Sequence, residues 1–232
     1  MNALLTLADR VLYEDNHLII INKLPSEIVQ GDKTGDKPLS DLVRDYIGEK
    51  YSKPGKVFLG VTHRIDRPVS GAVIFARTSK ALGRLNSMLK AGDIEKRYRA
   101  VVQRKPEKER GHLVHYLIKN EQQNKSYVCT EDTAGAKRAE LRYSVLAGSD
   151  RYYLLEIELL TGRHHQIRCQ LSHIGCPIKG DLKYGYDRPN KNGSIHLHAY
   201  SLSFIHPVSK KQLNVTAPPP SDDPLWQYFH TV

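Results

Sequence analysis

The chain has 232 residues, of which 40% are hydrophobic and 26% are charged, as is ordinary for a soluble globular protein. This length suits one large domain, or one domain with a small lobe. The sequence has no run of about 18 apolar residues, so no transmembrane helix is predicted. The first 25 residues carry acids and lack the basic start and apolar centre of a signal peptide, which favours a cytoplasmic location.

A large excess of positive charge indicates a negatively charged binding partner. The formal net charge is +10 and the isoelectric point is near 9.4, which favours a polyanion such as nucleic acid. Charge alone does not decide this, because many soluble proteins are basic for no specific reason. The three cysteines, Cys129, Cys169 and Cys176, have no close ligand spacing and cannot all pair, so reduced thiols are predicted.

The first part of the chain alternates strands and helices. In chain order, its predicted elements are strand 18–22, loop 30–38, helix 39–51, strand 71–76 and helix 79–89. The strands are apolar β-branched runs, the helices have apolar residues at helical spacing, and the loop is rich in turn residues. Ser79 is the predicted N-cap of the second helix.

Strands dominate the rest of the pattern. The predicted elements are strand 96–103, strand 152–160, turn 161–163, helix 167–174 and strand 196–204. The C-terminal stretch around Trp226 is predicted to be a packed amphipathic tail. Because strands outnumber helices and long connections join them, the pattern predicts an α+β fold with a mixed, mostly antiparallel sheet flanked by helices and loops.

One short stretch, HRIDRPVSG, places a single carboxylate among cations. Asp66 stands between Arg64 and Arg67, and opposite charges keep such an aspartate ionised. An ionised aspartate suits a nucleophile or an electrostatic stabiliser, and equally a structural ion pair in a turn. Pro68 removes a backbone donor and Gly71 permits an unusual turn, so a bent loop carrying Asp66 is predicted.

A second stretch, TGRHHQIRCQLSHIGCPIKGDLKYG, contains arginines, lysines and histidines. The histidines that raise the possibility of a metal site are His164, His165, His173, His196 and His198. No cysteine or carboxylate completes a compact ligand set, and the neighbouring arginines repel a cation, so a metal site is disfavoured. A basic surface that faces phosphates is the simpler interpretation.

A third stretch, KRYRA, combines an aromatic residue with cations. On a strand, Lys96, Tyr98 and Ala100 share one face, whereas Arg97 and Arg99 share the other. An aromatic ring among basic residues suits stacking on a nucleic-acid base. A tyrosine half-buried at a sheet edge explains the pattern equally well.

Together these stretches resemble the RluA-type family of pseudouridine synthases. The resemblance rests on HRIDRPVSG, KRYRAVV, the long histidine-containing stretch and LHAYSLSFIHP, in this order, and DNHLIIINKLP resembles the family's first strand. It implies the pseudouridine synthase catalytic fold, with an active-site cleft across the sheet. It also implies one catalytic domain over 1–232, without the extra N-terminal RNA-binding domain of some relatives.

The resemblance also assigns roles to residues. It places the catalytic aspartate at Asp66, the active-site tyrosine at Tyr98 and the basic partner of the aspartate at Arg168. It implies conversion of uridine to pseudouridine in ribosomal or transfer RNA, with no metal and no organic cofactor. Further candidates for RNA binding are Arg64, Arg67, Lys96, Arg163, His165, Gln166 and Lys179.

Two alternatives are open on the sequence alone. A non-catalytic RNA-binding protein of the same fold would keep the basic residues, but the presence of Asp66 favours the enzyme. A hydrolase using Asp and His, such as a glycosidase or phosphodiesterase, is the other alternative; glycosidases normally need two carboxylates, and neither motif offers an obvious partner acid. The sequence has no heptads, so a monomer is predicted.

Overall fold

A computed structural model describes residues 6–230 of the chain, and these are divided between two units. Unit 1 contains the chain up to Ile94 and the later segment Ala199–Pro219. Unit 2 contains Glu95–His198 and the chain from Pro220 onward. Each unit is therefore assembled from two separate stretches of sequence.

Eleven strands and four α-helices make up the regular structure of the described residues. The strands are β1 Val11–Glu14, β2 Leu18–Lys23, β3 Gly60–Val61, β4 Ser70–Ala76, β5 Glu95–Val102, β6 Arg110–Asn120, β7 Lys125–Cys129, β8 Lys137–Gly148, β9 Tyr153–Leu159, β10 Leu197–Ile205 and β11 Gln212–Thr216. The helices are α1 Leu39–Lys50, α2 Ser79–Ala91, α3 Gln166–His173 and α4 Pro224–His230, with short 3-10 helices at Ala8–Arg10 and Leu182–Tyr184.

The sheet of unit 1 has the order β1-β2-β4-β10, with β3 beside β4 and β11 beside β10. Strands β2 and β4 are antiparallel, and their register runs from Leu18 opposite Ala76 to Lys23 opposite Gly71. Both strands are apolar along nearly their whole length and almost entirely buried, as expected of strands covered on both faces. This register brings the end of β2 beside the start of β4, where the HRIDR loop ends.

The sheet of unit 2 has the order β5-β9-β8-β6-β7, and its paired strands are antiparallel. Helix α3 contributes Cys169 to a buried cluster with Leu117 of β6 and Ala139 of β8. Helix α4 packs Trp226 against Val101 and Leu154. These two helices cover separate apolar areas of the unit.

The predicted α+β class with mostly antiparallel strands is confirmed. The predicted helices and strands are present with boundaries shifted by one or two residues. The predicted cap was wrong, because the N-cap of α2 is Thr78, whose Oγ1 accepts a hydrogen bond from the Ala81 N–H at 3.2 Å. No elements were predicted over 104–151, where β6, β7 and β8 lie.

Two further expectations concern cysteines and membranes. Cys129, Cys169 and Cys176 are free thiols, as predicted. Within the described residues, no helix combines the length and the apolar character that crossing a membrane requires. The prediction of one domain over 1–232 stays a prediction.

Candidate functional site

The loop that carries Asp66 begins where two side chains, instead of the main chain of β3, form the hydrogen bonds to β4. Strand β3 pairs with β4 only at Gly60 and Val61. Beyond it, Thr62 Oγ1 donates a hydrogen bond to the Ile74 carbonyl at 2.7 Å, and the Ile74 N–H donates to His63 Nε2 at 3.1 Å. Because side-chain atoms satisfy both the N–H and the carbonyl of Ile74, the main chain can leave the sheet at this point.

A tight turn then presents Asp66. The Val69 N–H donates to the Asp66 carbonyl at 3.0 Å, which makes Asp66 the first residue of a β-turn, a position that favours aspartate. The Asp66 side chain is half-buried, whereas those of Arg64 and Arg67 are exposed. The Arg67 guanidinium donates to Asp36 at 2.6 Å. Asp36 belongs to the stretch that the sequence predicted to be a loop.

A fully buried lysine supports this turn from the end of β2. Lys23 is 0% exposed, and its Nζ donates to the carbonyls of Leu24 at 2.9 Å, Glu27 at 2.8 Å and Arg67 at 3.1 Å. A buried ammonium is costly unless its donors are satisfied, and an ammonium has three. Burial lowers the pKa of Lys23 to about 7, although the charges of Glu27 and Asp66 oppose this shift.

Lys23 was not among the predicted site residues. A cation two residues after the apolar run LIII, at the end of the same predicted strand region, was the available signal, because a lysine in that position is seldom left without partners. Its ammonium is tied to the carbonyl of the residue that follows Asp66. Lys23 therefore holds the main chain of the loop in place.

Gly71 fixes the other end of the loop. Its φ is +115°, and a Cβ atom on it would lie 2.3 Å from the Ala199 carbonyl oxygen and 2.5 Å from the Ala199 nitrogen. Any larger residue would therefore meet main-chain atoms of β10 that cannot easily move. The prediction that Gly71 permits an unusual backbone conformation is confirmed.

In unit 2, β5 carries the tyrosine and one of the lysines. Tyr98 is 8% exposed and is paired with Ile157 of β9. Lys96 is half-buried, and burial lowers its pKa. On the opposite face of the strand, Arg97 donates to Glu156 at 2.7 Å. These contacts agree with the predicted alternation of faces along KRYRA.

The turn before α3 is braced by Gln166. Its Oε1 accepts hydrogen bonds from Thr161 Oγ1 at 2.7 Å and from the Arg163 N–H at 3.0 Å, and its Nε2 donates to the Glu140 carbonyl at 3.0 Å. Gln166 is 3% exposed. His165 precedes it in the left-handed conformation, with φ of +52°. Buried bonds of this kind indicate that Gln166 positions the loop.

Arg168 is oriented by a buried carboxylate in its own unit. Its Nε and Nη2 donate to the two oxygens of Asp181 at 2.7 and 2.8 Å, and the two side chains are 5% and 1% exposed. The Tyr184 ring lies 5.1 Å from the guanidinium carbon. Two parallel hydrogen bonds fix the plane of the guanidinium as well as its position. Asp181 was not among the predicted site residues.

The remaining candidates of unit 2 also have defined surroundings. His165 is buried, its Nδ1 lies 3.1 Å from the Tyr184 hydroxyl, and burial together with nearby cations lowers its pKa to about 2. Arg163 is exposed and donates to the Arg138 carbonyl at 2.9 Å. The ammonium of Lys179 donates to Asn190 Oδ1 at 2.7 Å. His165 is therefore neutral at physiological pH.

The predicted residues thus fall into two groups. Unit 1 brings Arg64, Asp66 and Arg67 together in one loop. The candidates in unit 2 are Lys96, Tyr98, Arg163, His165, Gln166, Arg168 and Lys179. The pairing of Arg168 with Asp66 stays a prediction. Among residues 6–230, no group of three or more histidine, cysteine or acidic side chains is arranged to hold a metal ion.

Comparison with known proteins identifies the family to which these motifs belong. A family model described as RNA pseudouridylate synthase matches residues 17–173. The chain belongs to the RNA pseudouridylate synthase family. The matched residues include the Asp66 loop, β5 and α3, and they extend into both units. The family named from the sequence motifs is thereby confirmed, and the chain is an RNA-modifying isomerase.

Individual relatives and solved structures agree with this assignment. The chain is 32% identical over 223 residues to ribosomal large subunit pseudouridine synthase D of Zymomonas mobilis, covering 91% of this chain and 69% of that protein. It is 29% identical to tRNA pseudouridine synthase C of Vibrio parahaemolyticus, covering 95% and 93%. In fold it is similar to human RNA pseudouridylate synthase domain containing 4, with a TM-score of 0.79 at 22% identity over 93% of this chain and 90% of that one.

Proposed function

We propose that this protein isomerises uridine to pseudouridine within RNA, and that Asp66 is the nucleophile. The reaction breaks the bond between N1 of uracil and C1′ of ribose, rotates the base and joins C5 to C1′. N1 gains a proton and C5 loses one, so no other atom is exchanged. The observation that carries the proposal is the position of Asp66 at the head of a turn held by Lys23, within a chain of this family.

The carboxylate of Asp66 acts on a nucleotide that has left its stack. It adds to the uracil ring or attacks the ribose, and both routes require an ionised oxygen beside the flipped nucleotide. We assign to Arg168 the role of ionic partner of Asp66, which favours the charged carboxylate. Its bond to Asp181 supports this role, because an arginine with a fixed plane presents its remaining N–H groups in one direction.

Tyr98 is assigned to the target base. We propose that its ring contacts the flipped uracil, in a cleft across the sheet. The Tyr98 hydroxyl could also take the proton from C5 of uracil. A phenol with a pKa near 10 is, however, a weak base at neutral pH. The stacking role is therefore the primary assignment.

RNA binding offsets the cost of removing the base from its stack, which is a few kcal/mol. We assign phosphate contacts to exposed or half-exposed cations, namely Arg64, Arg67, Lys96, Arg163 and Lys179. We assign positioning roles to His165 and Gln166 rather than direct contact, because both are buried and hydrogen-bonded within unit 2.

The names of two relatives support a proposal for the substrate class. Their names specify ribosomal large subunit RNA and transfer RNA, and we propose one of these as the substrate. We further propose that the two units act as a single catalytic domain, since the family match extends into both. The protein is proposed to act as a cytoplasmic monomer without a cofactor. Size-exclusion chromatography tests the oligomeric state. Activity that persists after exhaustive dialysis against a chelator tests the absence of a metal cofactor.

The decisive test is the Asp66→Ala variant. Pseudouridine is mapped across total RNA from cells that express the wild-type protein, the variant or neither. We expect one or a few sites to lose pseudouridine in the absence of the gene and to remain unmodified with Asp66→Ala. The matched control is Asp45→Ala, which removes an exposed carboxylate paired with Lys37 and should restore modification.

The outcomes separate the alternatives. Modification that persists with Asp66→Ala contradicts the catalytic assignment. RNA binding by the wild-type protein without any gene-dependent pseudouridine indicates the non-catalytic RNA-binding protein. Loss of activity on addition of chelator indicates a metal-dependent enzyme such as a phosphodiesterase and overturns the proposed mechanism.

A further inference from the structure

Strands β5, β8 and β9 of unit 2 carry several arginines, and three of these form ion pairs with glutamates of the same strands. Across the strands, Arg97 pairs with Glu156 and Arg142 pairs with Glu158, and Arg138 pairs with Glu140 along β8. These partners lie on neighbouring strands or two residues apart on one strand. These pairs attract a polyanion weakly, because each of the three arginines already has a carboxylate at contact distance.

The end of the sheet near the β6–β7 turn is different. We call the hairpin surface the set formed by Lys125, Arg163, His164 and Lys183. Among residues 6–230, no carboxylate lies within ion-pair distance of Lys125, Arg163 or Lys183. Lys119 lies at the same turn and is paired with Glu121.

Contacts with main-chain oxygens and aromatic rings hold these cations without cancelling their charge. The Lys183 ammonium donates to the carbonyls of Gln123 and Asn124 at 3.0 and 3.2 Å. The Lys125 ammonium lies 5.1 Å from the centroids of both the Tyr127 and Tyr184 rings. Such contacts order a lysine while leaving its positive charge available to an anion.

The surrounding potential is positive as well. The His164 and His165 rings are stacked with centroids 3.8 Å apart. Besides burial, the charges that act on His165 belong to Arg168, His164, Lys183 and Lys119, and all of them lower its pKa. The cations at this turn therefore act together on one buried histidine, and Glu121 is an acid that acts on the neighbouring His164.

We propose that the hairpin surface binds the phosphate backbone of RNA outside the flipped nucleotide. This inference rests on the proposed function. It assigns part of the RNA binding to residues that have no proposed catalytic role. Lysines are point charges that suit phosphates without sequence preference. The Tyr127 ring beside Lys125 is 39% exposed, and an exposed aromatic among cations is typical of single-stranded RNA contacts. An acidic peptide is the other polyanion that the surface would attract, and it serves as a competitor in the test.

The experiment compares two double variants with the same change in net charge. Lys125→Gln with Lys183→Gln alters the hairpin surface, and Lys105→Gln with Arg142→Gln removes two cations that have carboxylate partners. Binding of fluorescein-labelled oligouridylate is measured between 50 and 200 mM salt. We expect the salt slope of log affinity to fall by about 0.7 per lysine in the first variant and to stay unchanged in the second.

Lysine footprinting of the wild-type protein tests the same proposal without depending on the folding of variants. Lysines are acetylated with and without oligouridylate, and each is quantified by mass spectrometry. We expect RNA to protect Lys125 and Lys183 several-fold and to leave Lys105 reactive. Polyglutamate at equal charge should give much weaker protection.

The outcomes distinguish this inference from the proposed function. Gene-dependent pseudouridine together with an unchanged salt slope, or with unprotected lysines, overturns the hairpin surface and leaves the enzyme standing. Protection without any pseudouridine supports the surface and refutes the enzyme. Equal protection by polyglutamate refutes RNA as the preferred partner of this surface.

Discussion

The two units hold their principal polar residues by different means. In unit 1, the Asp66 loop is held through main-chain atoms: Lys23 binds three carbonyls, His63 and Thr62 bind one peptide group, and Gly71 lies against the β10 backbone. In unit 2, Arg168 is held through the side chain of Asp181. Main-chain support tolerates changes of neighbouring side chains, whereas side-chain support depends on the identity of one partner.

This difference fits the roles proposed for Asp66 and Arg168. A nucleophile must be placed to within a fraction of an ångström, and its position follows the path of the main chain. An arginine at the end of a long side chain instead needs its plane fixed, which only a specific partner can provide. Substitutions that remove each mode of support should therefore differ in their effects.

The sharpest test of main-chain support is Gly71→Ala. A Cβ at this position would meet the Ala199 main chain at 2.3 Å, in a backbone conformation with φ of +115°. We expect the free energy of unfolding to fall by about 3 to 5 kcal/mol, because strain and overpacking add. Urea denaturation measures the loss.

Gly92→Ala provides the matched control. Gly92 also has positive φ, at +84°, but a Cβ on it would meet nothing within 4 Å. We expect a loss of about 1 to 2 kcal/mol, the cost of the left-handed conformation alone. Equal losses in the two variants would show that the approach to β10 does not constrain the loop.

Side-chain support is tested by Asp181→Asn. The substitution keeps the size of the side chain but removes the carboxylate from a pair that is 5% and 1% exposed. We expect a loss of about 3 kcal/mol, since breaking a buried ion pair is strongly destabilising. Asp45→Asn in the exposed pair with Lys37 should cost less than about 1 kcal/mol. A similar small loss at Asp181 would refute the proposed dependence on one partner.

The support from Lys23 is expected to depend on pH. Below pH 7 the ammonium is charged in both the folded and the unfolded chain. Above this, the folded protein releases a proton that the unfolded chain keeps until its ordinary pKa of 10.5. The unfolded state then binds more protons, so stability relative to a Lys23→Met variant should rise with pH, by at most about 1.4 kcal/mol per unit.

The measurement is urea denaturation of both proteins at several pH values from neutral to mildly alkaline. The difference between them isolates Lys23 from other titrating groups. Parallel curves would mean that the three carbonyls keep the proton on Lys23 throughout, which would make main-chain support independent of pH.

The smallest effect concerns the cap of α2. Thr78 Oγ1 accepts the hydrogen bond from the Ala81 N–H, so Thr78→Ala should cost about 1 kcal/mol. Ser79→Ala should be nearly neutral, because Ser79 is the first helical residue. Thermal unfolding of the two variants decides between them, and a larger loss at Ser79 would reinstate the cap predicted from sequence.

The sequence predicted those elements whose pattern is complete within one segment. Strands β2 and β4 are continuous apolar runs, and α1 and α2 bury one face at helical spacing. Strand β6 was missed because polar residues occur on both of its faces, and its pairing with β8 depends on distant residues. Its long-range ladder leaves little trace in local hydrophobicity.

The site shows the same division. Asp66, Tyr98 and Arg168 could be named because each lies in a motif of adjacent residues. The partners of Lys23 could not be predicted, because the three carbonyls around its ammonium come together only in the folded loop. Asp181 lies 13 residues from Arg168, a separation that no helical or strand period links.

The division of the chain between the units has a consequence during synthesis. The core of unit 1 includes Leu202, Phe204 and Val215, which leave the ribosome only after the whole of segment 95–198 has been made. The core of unit 1 therefore stays incomplete while segment 95–198 of unit 2 is being translated, because part of that core comes from the later segment. Because Gly71 lies against Ala199, the Asp66 loop can assume its final form only after this later segment has been made, and not as soon as the first 94 residues have emerged.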